Sequence, residues 1–593
     1  MASLFTVDSR SSSIIACSPI SKDIIQNNNK AIAETMITSI EVENVRLFEG
    51  KGWQFPLCPI TVFCGTNSSG KSTLLKVLLL LKQSIVVQDS TDSPQGRLVF
   101  YSNQIDLGSY QSFVTNNERD REIALTIRVE DSTSLSFVNS LRLIKGQKEL
   151  DGARGHKVPS LPYILTCSFT FGLKRKVRSG STPVATDETK GSEANDGENS
   201  IYTSQSFLKT ATFSMSYDNE ELLSWQLMSS LAAPGAESNT ERYELILPRK
   251  YADTVMSKYG LGLIGLESTT KDASDFTRYE ATLRGVLPHV LRAKWIGFKK
   301  QKGTSRTKET LTKQPLLDWP LPPHLSNILA DLHRALAKIH YLGPFRAPAK
   351  RYYIAHVDAN PDLDPTGEFL PYVLQQQSNA NVLGVLLKNK DSSEKETLEQ
   401  ALNYWVHYLR TGHKIESTAA PKEIALLTSK DVLVELMVKT PSGDKSYALT
   451  DSGFGYSQVL PILVRGLLAE AGSTLIVEQP ELHLNPALQV RLADFFVHMM
   501  RSGKQVLLET HSEHLVNAIR ILVAEDETNE ISSKAGVIFM DVEQGTPSVK
   551  QLDILPDGTI PDWPPTFFGE AISLSSRLLR AQGRFRNKTP KQA

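Results

Sequence analysis

The glycine-rich segment GTNSSGKST, residues 65–73, carries the strongest chemical signal in the chain. It matches the pattern GxxxxGK[ST] from Gly65 to Ser72 without a mismatch. Glycines let a backbone wrap phosphate oxygens, backbone N–H groups supply partial positive charge, and a lysine ammonium neutralises the β- and γ-phosphates. The segment therefore predicts a nucleotide phosphate loop, with the Ser72 hydroxyl placed to bind Mg²⁺. Its predicted binding residues are Gly65, Asn67, Ser69, Gly70, Lys71, Ser72 and Thr73.

Two further runs place titratable residues directly after apolar strands. The run TLIVEQPE, residues 474–481, ends its apolar part at Glu478, where a carboxylate suits a phosphate-bound magnesium ion. Glu478 is therefore a predicted metal residue, together with Ser72. The run LLETHS, residues 507–512, places His511 at the end of another strand. A single histidine there is more often a hydrogen-bonded structural residue, and this alternative stays open.

The elements around these motifs predict one α/β domain made from two distant parts of the chain. Residues 60–63 predict a strand before the glycine-rich loop, and residues 74–81 predict a helix after it. The distal part predicts a helix at 457–469, a strand at 474–477, a helix at 486–500 and a strand at 505–508. About 370 residues without sustained heptads separate the two parts. We expect globular subdomains there rather than a long coiled coil.

Four motifs together carry a resemblance to a known family. In chain order, GTNSSGKST, DSGFGYSQVLP, LIVEQPELHLNP and LLETHS resemble the phosphate-loop, signature, acidic-strand and switch-histidine motifs of ABC-type ATPases. The split around an insert is similar to the OLD/RecF/SMC-like ATPases, also called AAA-family ATPases, many of which occur in bacterial anti-phage defence operons. The resemblance covers about residues 37–130 and 340–570. It implies an α/β fold: an ABC-type P-loop ATPase head split into two halves around a globular α+β insert, with a small C-terminal domain.

The resulting domain prediction has five parts. They are a disordered extension at 1–36, the N-terminal half of the head at 37–130, an insert at 131–340 with a disordered loop near 174–200, the C-terminal half at 341–540, and a small C-terminal domain with a basic tail at 541–593. The loop is predicted to be disordered because it is polar and low in aromatic residues.

The resemblance also implies roles for residues of the second half. The head would close as a homodimer, or within a higher oligomer, around two molecules of ATP bound with Mg²⁺. Gly455 and Ser457 would contact the γ-phosphate of the ATP held by the other subunit, and His511 the γ-phosphate in its own subunit. A serine after glycines at a helix start also suits anion binding on physical grounds. Arg346, in the segment YLGPFRAP, is a candidate phosphate contact.

One position departs from the family pattern. ABC-type ATPases have Asp-Glu-Pro where this chain has Glu478-Gln479-Pro480, and their second acid polarises the attacking water. An amide cannot accept that proton, although it can orient a water molecule. Glu481 is a substitute carboxylate two residues further on. The predicted catalytic residues are Gln479, Glu481 and His511, and we expect an ATPase whose hydrolysis is slow or triggered by a partner.

Composition narrows the class of protein. The 593 residues contain 65 Lys plus Arg and 65 Asp plus Glu, so net charge favours neither nucleic acid nor anionic lipid as a partner. No apolar run approaches the roughly 20 residues that span a bilayer, and we expect no membrane partner. The four cysteines are too few and too scattered for a disulfide framework, which suits a reducing compartment. These features predict a cytoplasmic protein.

Three functional interpretations stay open at this point. The first is a nucleotide-controlled sensor or scaffold for an effector protein, such as a nuclease, in antiviral defence. The second is a DNA-repair or DNA-processing ATPase that acts on nucleic acid directly, for which the basic stretch from Arg292 to Lys313 is a candidate contact; an exposed loop is the simpler interpretation of that stretch. The third is a nucleotide-binding structural protein. The roughly 80 residues after His511 show no second carboxylate cluster of the kind a nuclease needs, which favours the first interpretation.

Overall fold

The structure is a computed structural model of the chain. It describes residues 35–86, 95–102, 105–147, 160–176, 201–230, 242–258, 263–264, 276–295, 316–356, 364–383, 395–409, 414–419, 431–440, 445–451, 454–564 and 576–582. The predicted extension before residue 35, the predicted loop at 177–200, the basic stretch at 296–315 and the tail after residue 582 lie outside the described residues.

Strands dominate the described residues. In chain order they are β1 (Met36–Glu43), β2 (Trp53–Pro56), β3 (Ile60–Gly65), β4 (Ile123–Ser134), β5 (Ser160–Lys176), β6 (Ile201–Tyr217), β7 (Glu220–Ser230), β8 (Arg242–Pro248), β9 (Leu263–Ile264), β10 (Phe276–Arg284), β11 (Leu287–Trp295), β12 (Leu316–Pro320), β13 (Ile339–Leu342), β14 (Tyr353–His356), β15 (Asn381–Leu383), β16 (Lys395–Thr397), β17 (Lys414–Ala419), β18 (Asp431–Lys439), β19 (Ser446–Ala448), β20 (Thr474–Glu478), β21 (Gln505–Glu509), β22 (Ala535–Glu543) and β23 (Thr546–Asp553).

The described residues also form eleven α-helices. They are α1 (Lys71–Ile85), α2 (Tyr110–Phe113), α3 (Leu135–Lys145), α4 (Arg249–Lys258), α5 (Pro323–Ala337), α6 (Leu370–Gln377), α7 (Leu398–Tyr408), α8 (Phe454–Leu468), α9 (Pro486–Arg501), α10 (Glu513–Ala524) and α11 (Glu530–Lys534). Short 3₁₀ helices cover Thr115–Asn117 and Leu449–Asp451.

A six-stranded sheet joins the two distant parts of the chain. Its order in the described residues is β13-β20-β21-β3-β22-β23, and the first five strands run parallel. Strand β3, from the N-terminal part, lies between β21 and β22, so neither part completes the sheet alone. Every residue of β3, β20 and β21 is buried, as expected for parallel strands covered on both faces.

The two faces of this sheet belong to different hydrophobic cores because side chains alternate along each strand. Phe63, Ile476 and Leu507 join the core that contains α1 and α5. Val62 and Leu508 join the core that contains α8, α9 and α10. Each fully buried Leu, Val or Phe stabilises the fold by about 1.5–3 kcal/mol, so the two cores fix the position of the sheet firmly.

A second, antiparallel sheet contains 11 described strands. Its order is β12-β11-β10-β8-β7-β6-β5-β4-β1-β2, with β9 paired to β11. Strand β8 shows the alternating burial of a sheet with one covered face. The predicted boundary between head and insert at 130/131 falls inside β4. This strand pairs with β1 on one side, up to Glu130, and with β5 on the other side, up to Ser134.

The predicted start of a C-terminal domain at residue 541 also falls inside a strand. Strand β22 pairs in parallel with β3 as far as Met540, and β23 pairs with β22 from Gly536–Asp553 to Glu543–Thr546. Residues 541–553 therefore form the edge of the six-stranded sheet, because the hydrogen bonds of β22 continue past the predicted boundary. The predicted α/β class, with one parallel sheet built from two distant parts of the chain, is confirmed.

The side chain of Gln505 connects the two sheets. Its Nε2 donates to the carbonyl oxygen of Ile37 at 2.7 Å, and its Oε1 accepts from Thr474 Oγ1 at 3.0 Å. A buried amide with these partners fixes the start of β21 against β1. None of the helices in the described part of the chain is long and apolar enough to cross a membrane.

Candidate functional site

The predicted phosphate loop lies between β3 and α1, at the carboxyl edge of the parallel sheet. Gly65 ends β3 with a φ of +136°, and a Cβ placed there would lie 1.8 Å from the carbonyl oxygen of Met540. Gly70 precedes α1 with a φ of +98°, and a Cβ there would lie 2.7 Å from the ring of Phe48. Only glycine fits either position, which explains the spacing of the motif. Asn67 at the tip is exposed, whereas Ser69 is buried.

The ammonium group of Lys71 folds back over this loop. Its Nζ donates to the carbonyl oxygen of Thr66 at 2.6 Å, to that of Gly65 at 3.3 Å and to Ser69 Oγ at 3.4 Å. Burial lowers the pKa of Lys71, and the negative charge of Glu509 opposes that shift. The three bonds hold a positive charge at the mouth of the loop, where anionic phosphate oxygens would replace carbonyl oxygens as partners.

Ser72 and Thr73, the first residues after Lys71, point in different directions. Ser72 Oγ donates to Glu509 Oε1 at 2.8 Å, across to the end of β21. The hydroxyl of the buried Thr73 accepts a 3.4 Å hydrogen bond from the Arg46 guanidinium instead. Glu509 is a residue that the motifs did not single out. The sequence signal that could have identified it is its place at the end of a strand, the same feature that identified Glu478 on β20.

Glu478 and Glu509 are direct neighbours, since the parallel register of β20 and β21 pairs them. Both are buried, at 4% exposure each. Burial, followed by the negative charge of Glu509, raises the pKa of Glu478 to about 7. Burial also raises the pKa of Glu509, opposed mainly by its hydrogen bond from Ser72. Tyr341 donates its hydroxyl to Glu478 Oε1 at 3.1 Å, so β13 contributes to the same edge.

Gln479 has an unusual backbone conformation for a non-glycine residue, with a φ of +46°. Its N–H donates to the carbonyl oxygen of Glu509 at 2.7 Å. The buried Arg346 guanidinium donates to the carbonyl oxygens of Glu478 at 2.9 Å and of Gln479 at 3.5 Å. Burial lowers the pKa of Arg346 to about 10. The candidate phosphate contact Arg346 is therefore bound to the backbone of the acidic segment, and these bonds maintain the strained turn at Gln479.

Both carboxylate oxygens of Glu481 accept hydrogen bonds from the segment after β21. Oε2 accepts from Thr510 Oγ1 at 2.8 Å, and Oε1 accepts from the backbone N–H of His511 at 2.7 Å. The imidazole of His511 is half-buried, and burial followed by the positive charge of Lys71 lowers its pKa. The structure thus brings Gln479, Glu481 and His511 to one edge, beside the phosphate loop.

The signature segment lies at the start of α8. Residues 452 and 453 are outside the described residues, whereas Gly455 and Ser457 are on the first turns of the helix. Ser457 is buried, and its Oγ accepts from Gln458 Nε2 at 3.4 Å. The predicted contact of Gly455 and Ser457 with the nucleotide of a second subunit stays a prediction.

The oxygen atoms around Ser72 fit a hard divalent cation. The serine hydroxyl and the carboxylates of Glu478 and Glu509 are all oxygen ligands, which Mg²⁺ prefers. Glu509 Oε2 is buried and has no hydrogen-bond partner among the described residues. No group of three or more His, Cys, Asp or Glu side chains in the described part of the chain could hold a metal ion. A cation here would share its coordination with nucleotide phosphates and water, as Mg²⁺ usually does.

A parallel sheet with a glycine-rich phosphate loop after β3, and carboxylates at the ends of neighbouring strands, is the arrangement of a P-loop nucleotide-binding domain. A family model described as "AAA domain, putative AbiEii toxin, Type IV TA system" matches residues 60–517. The chain belongs to this family.

Several solved structures share a likeness with the chain. An Smc head bound to the C-winged helix domain of ScpA has 9% identity over 87% of this chain and 98% of that one, with a TM-score of 0.32. A Pyrococcus furiosus Smc head, with an extended coiled coil and bound to the C-terminal domain of ScpA, has 8% identity over 92% and 99%, with a TM-score of 0.31. The Thermotoga maritima SMC head has 7% identity over 87% and 99%, with a TM-score of 0.29. These values are too low to bear on function. No curated protein matches the chain.

Proposed function

We propose that the protein binds ATP with Mg²⁺, hydrolyses it slowly, and uses its nucleotide state to control a partner effector. The observation that carries the proposal is the position of Gln479. It follows Glu478 at the edge that holds the phosphate loop, where a second acid would serve as the base for hydrolysis. Binding groups are therefore in place while an amide occupies the position of the base.

The phosphate-binding role rests on the loop and α1. The backbone N–H groups of Gly70, Lys71 and Ser72 lie at the N-terminus of α1, where they would donate to phosphate oxygens, and Lys71 supplies the neutralising charge. Gly65, Asn67, Ser69 and Thr73 shape the rest of this cradle. Ser72 and Glu478 would hold Mg²⁺, which supplies electrostatic stabilisation of the phosphates when bound.

The slow rate follows from the partners of the acidic segment. Gln479 can orient a water molecule but cannot remove its proton. Glu481 has both oxygens engaged by Thr510 and His511, which favours a positioning role over that of a relocated base. A partner that moves this segment would change the position of both residues, so partner-triggered hydrolysis fits the same contacts.

The proposal includes self-association and an effector. Ser457 lies on the first turns of α8, where the helix N-terminus favours an anionic group, and we infer that it meets the γ-phosphate held by a second copy. We infer that the effector is a separate protein, such as a nuclease, and that the pair acts in antiviral defence. We place this activity in the cytoplasm.

The alternative is an ATPase that acts on DNA directly through the basic stretch from Arg292 to Lys313. Most of that stretch lies outside the described residues. Arg292, on β11, forms an ion pair with Asp318 at 2.9 Å and lies 3.9 Å from Glu280. These contacts give this arginine structural partners within the sheet.

Two measurements test the proposed function. Calorimetry with ATP and Mg²⁺ should show binding to the wild type, and phosphate release should be slow. Light scattering should show a larger mass with ATP than without it, and Ser457→Arg should abolish that increase while leaving ATP binding intact. Absence of ATP binding to the folded wild type would refute the proposal. Metal-dependent DNA cleavage that persists in Lys71→Ala would support the alternative.

A further inference from the structure

Glu509 is an acid of the site to which the proposed function assigns no role. It ends β21, it is only 4% exposed, and its Oε1 accepts a hydrogen bond from the Ser72 hydroxyl at 2.8 Å. Its other oxygen, Oε2, is buried without a hydrogen-bond partner among the described residues. A buried carboxylate oxygen without a partner lowers the stability of the folded protein. We therefore expect this atom to bind a ligand that the protein itself does not supply.

The neighbours of Glu509 indicate the charge of that ligand. Glu478 lies beside it in the parallel register, and two buried carboxylates repel each other unless a cation lies close. The positive charges of Lys71 and Lys76 act on Glu509, and that of Lys76 also acts on Glu478. Neither ammonium donates to Glu509 Oε2, and that of Lys71 is hydrogen-bonded to carbonyl oxygens of the phosphate loop. A cation that contacts both carboxylates would satisfy the free oxygen and remove the repulsion.

We propose that Glu509 joins Ser72 and Glu478 in holding the Mg²⁺ that accompanies ATP, so that the ion contacts carboxylates from two adjacent strands. This inference rests on the proposed function. Because the Ser72 hydroxyl donates its hydrogen bond to Glu509, both lone pairs of Ser72 Oγ are free for the ion. Glu509 thus acts twice, as a carboxylate ligand and as the group that orients the serine.

The experiment measures the cation dependence of ATP binding rather than turnover. The affinity of a fluorescent ATP analogue is titrated against Mg²⁺, and Mn²⁺ binding is followed by electron paramagnetic resonance. Glu509→Gln keeps an acceptor for Ser72 but removes the charge. We expect it to raise the Mg²⁺ concentration for half-maximal binding by about 10–100-fold, the usual cost of losing such a partner. Binding of the analogue without Mg²⁺ should be unchanged or tighter.

Glu513→Gln is the matched control, because it removes a carboxylate four residues beyond Glu509, at the start of α10, where Oε1 accepts from Asn517 Nδ2 at 3.4 Å. It should leave the Mg²⁺ dependence within about twofold of the wild type. Glu509→Asp replaces Glu509→Gln if the latter does not fold, and its shorter side chain should still weaken Mn²⁺ binding several-fold. An unchanged Mg²⁺ dependence in a folded Glu509 variant would overturn the inference, even with lowered turnover, while ATP binding by the wild type would keep the proposed function intact. A wild type that binds no ATP would overturn both.

Discussion

Glu481 Oε1 accepts a 2.7 Å hydrogen bond from the backbone N–H of His511, and this bond connects the acidic segment after β20 to the histidine after β21. The second oxygen of Glu481 accepts from Thr510 Oγ1 at 2.8 Å. A carboxylate bound in this way fixes the backbone of its neighbour. The function of the acidic segment can therefore be divided between Gln479 and Glu481 by substitution.

Gln479→Glu should raise the basal rate of ATP hydrolysis, because it places a carboxylate where the amide now stands. General-base catalysis contributes about 10²–10⁴-fold, and repulsion by Glu478 would reduce the gain. Steady-state phosphate release measures the change, with ATP affinity as the control. Equal rates in wild type and variant would show that the amide is not a brake.

Glu481→Gln should reduce stability more than it reduces ATP affinity. Its amide oxygen can still accept from the N–H of His511, but its NH₂ would have to donate to the Thr510 hydroxyl, which already accepts from the N–H of Ser512. The loss of the charged acceptor should cost about 1 kcal/mol. Urea unfolding measures the stability. Complete loss of hydrolysis at unchanged stability would instead identify Glu481 as the base.

Lys71→Ala should abolish ATP binding while leaving the fold intact. The side chain bonds only loop oxygens and a serine hydroxyl in the described structure, and none of these belongs to the hydrophobic cores. Calorimetry measures binding, and far-UV circular dichroism checks folding. Unchanged affinity in a folded variant would contradict the assignment of the loop.

Gly65→Ala should prevent the phosphate loop from forming, and Gly50→Ala is its control. Both glycines have positive φ, but a Cβ at Gly65 would lie 1.8 Å from the Met540 carbonyl oxygen, whereas one at Gly50 has nothing within 4 Å. The forced movement at Gly65 should cost about 1–3 kcal/mol beyond the strain common to both. Thermal unfolding and ATP affinity compare the pair. Similar losses in the two variants would show that backbone strain alone matters.

His498 should make the protein less stable in mild acid. Burial, followed by the positive charges of Lys504 and Arg501, lowers its pKa from 6.5 to about 4. The unfolded chain takes up a proton that the folded protein excludes, so stability is complete above pH 6.5 and falls as the pH drops toward 4, by up to about 1.4 kcal/mol for each pH unit.

The contribution of His498 is tested by comparing the unfolding temperatures of the wild type and two variants across this pH range. His498→Phe keeps a ring beside Trp405, 5.3 Å away between centroids, and removes the titration. We expect a smaller fall in unfolding temperature between pH 6.5 and 4.5 for His498→Phe than for the wild type. His514→Gln, at an exposed position on α10, should behave like the wild type. A parallel decline in all three proteins would contradict this assignment.

Local sequence was sufficient for the phosphate loop. Backbone conformation and close contacts require glycine at positions 65 and 70, and the charge of the phosphates requires the lysine. The flanking strand and helix are buried, which requires apolar residues. Residue type and spacing alone meet each of these requirements. The strands and helices around Glu478 and His511 were predictable for the same reason. Their apolar runs and caps are local properties.

The tertiary structure alone decided which side chains meet. Glu509 became part of the site because β3, from residues 60–65, inserts beside β21, more than 400 residues away in the sequence. Strand order and register depend on which apolar faces pack together, and a short motif does not encode that choice. The same packing determines the hydrogen-bond partners of Glu481 and Arg346, and it places residues 541–553 in the six-stranded sheet. Those relationships are contacts between distant segments, which exist only after the hydrophobic cores have formed.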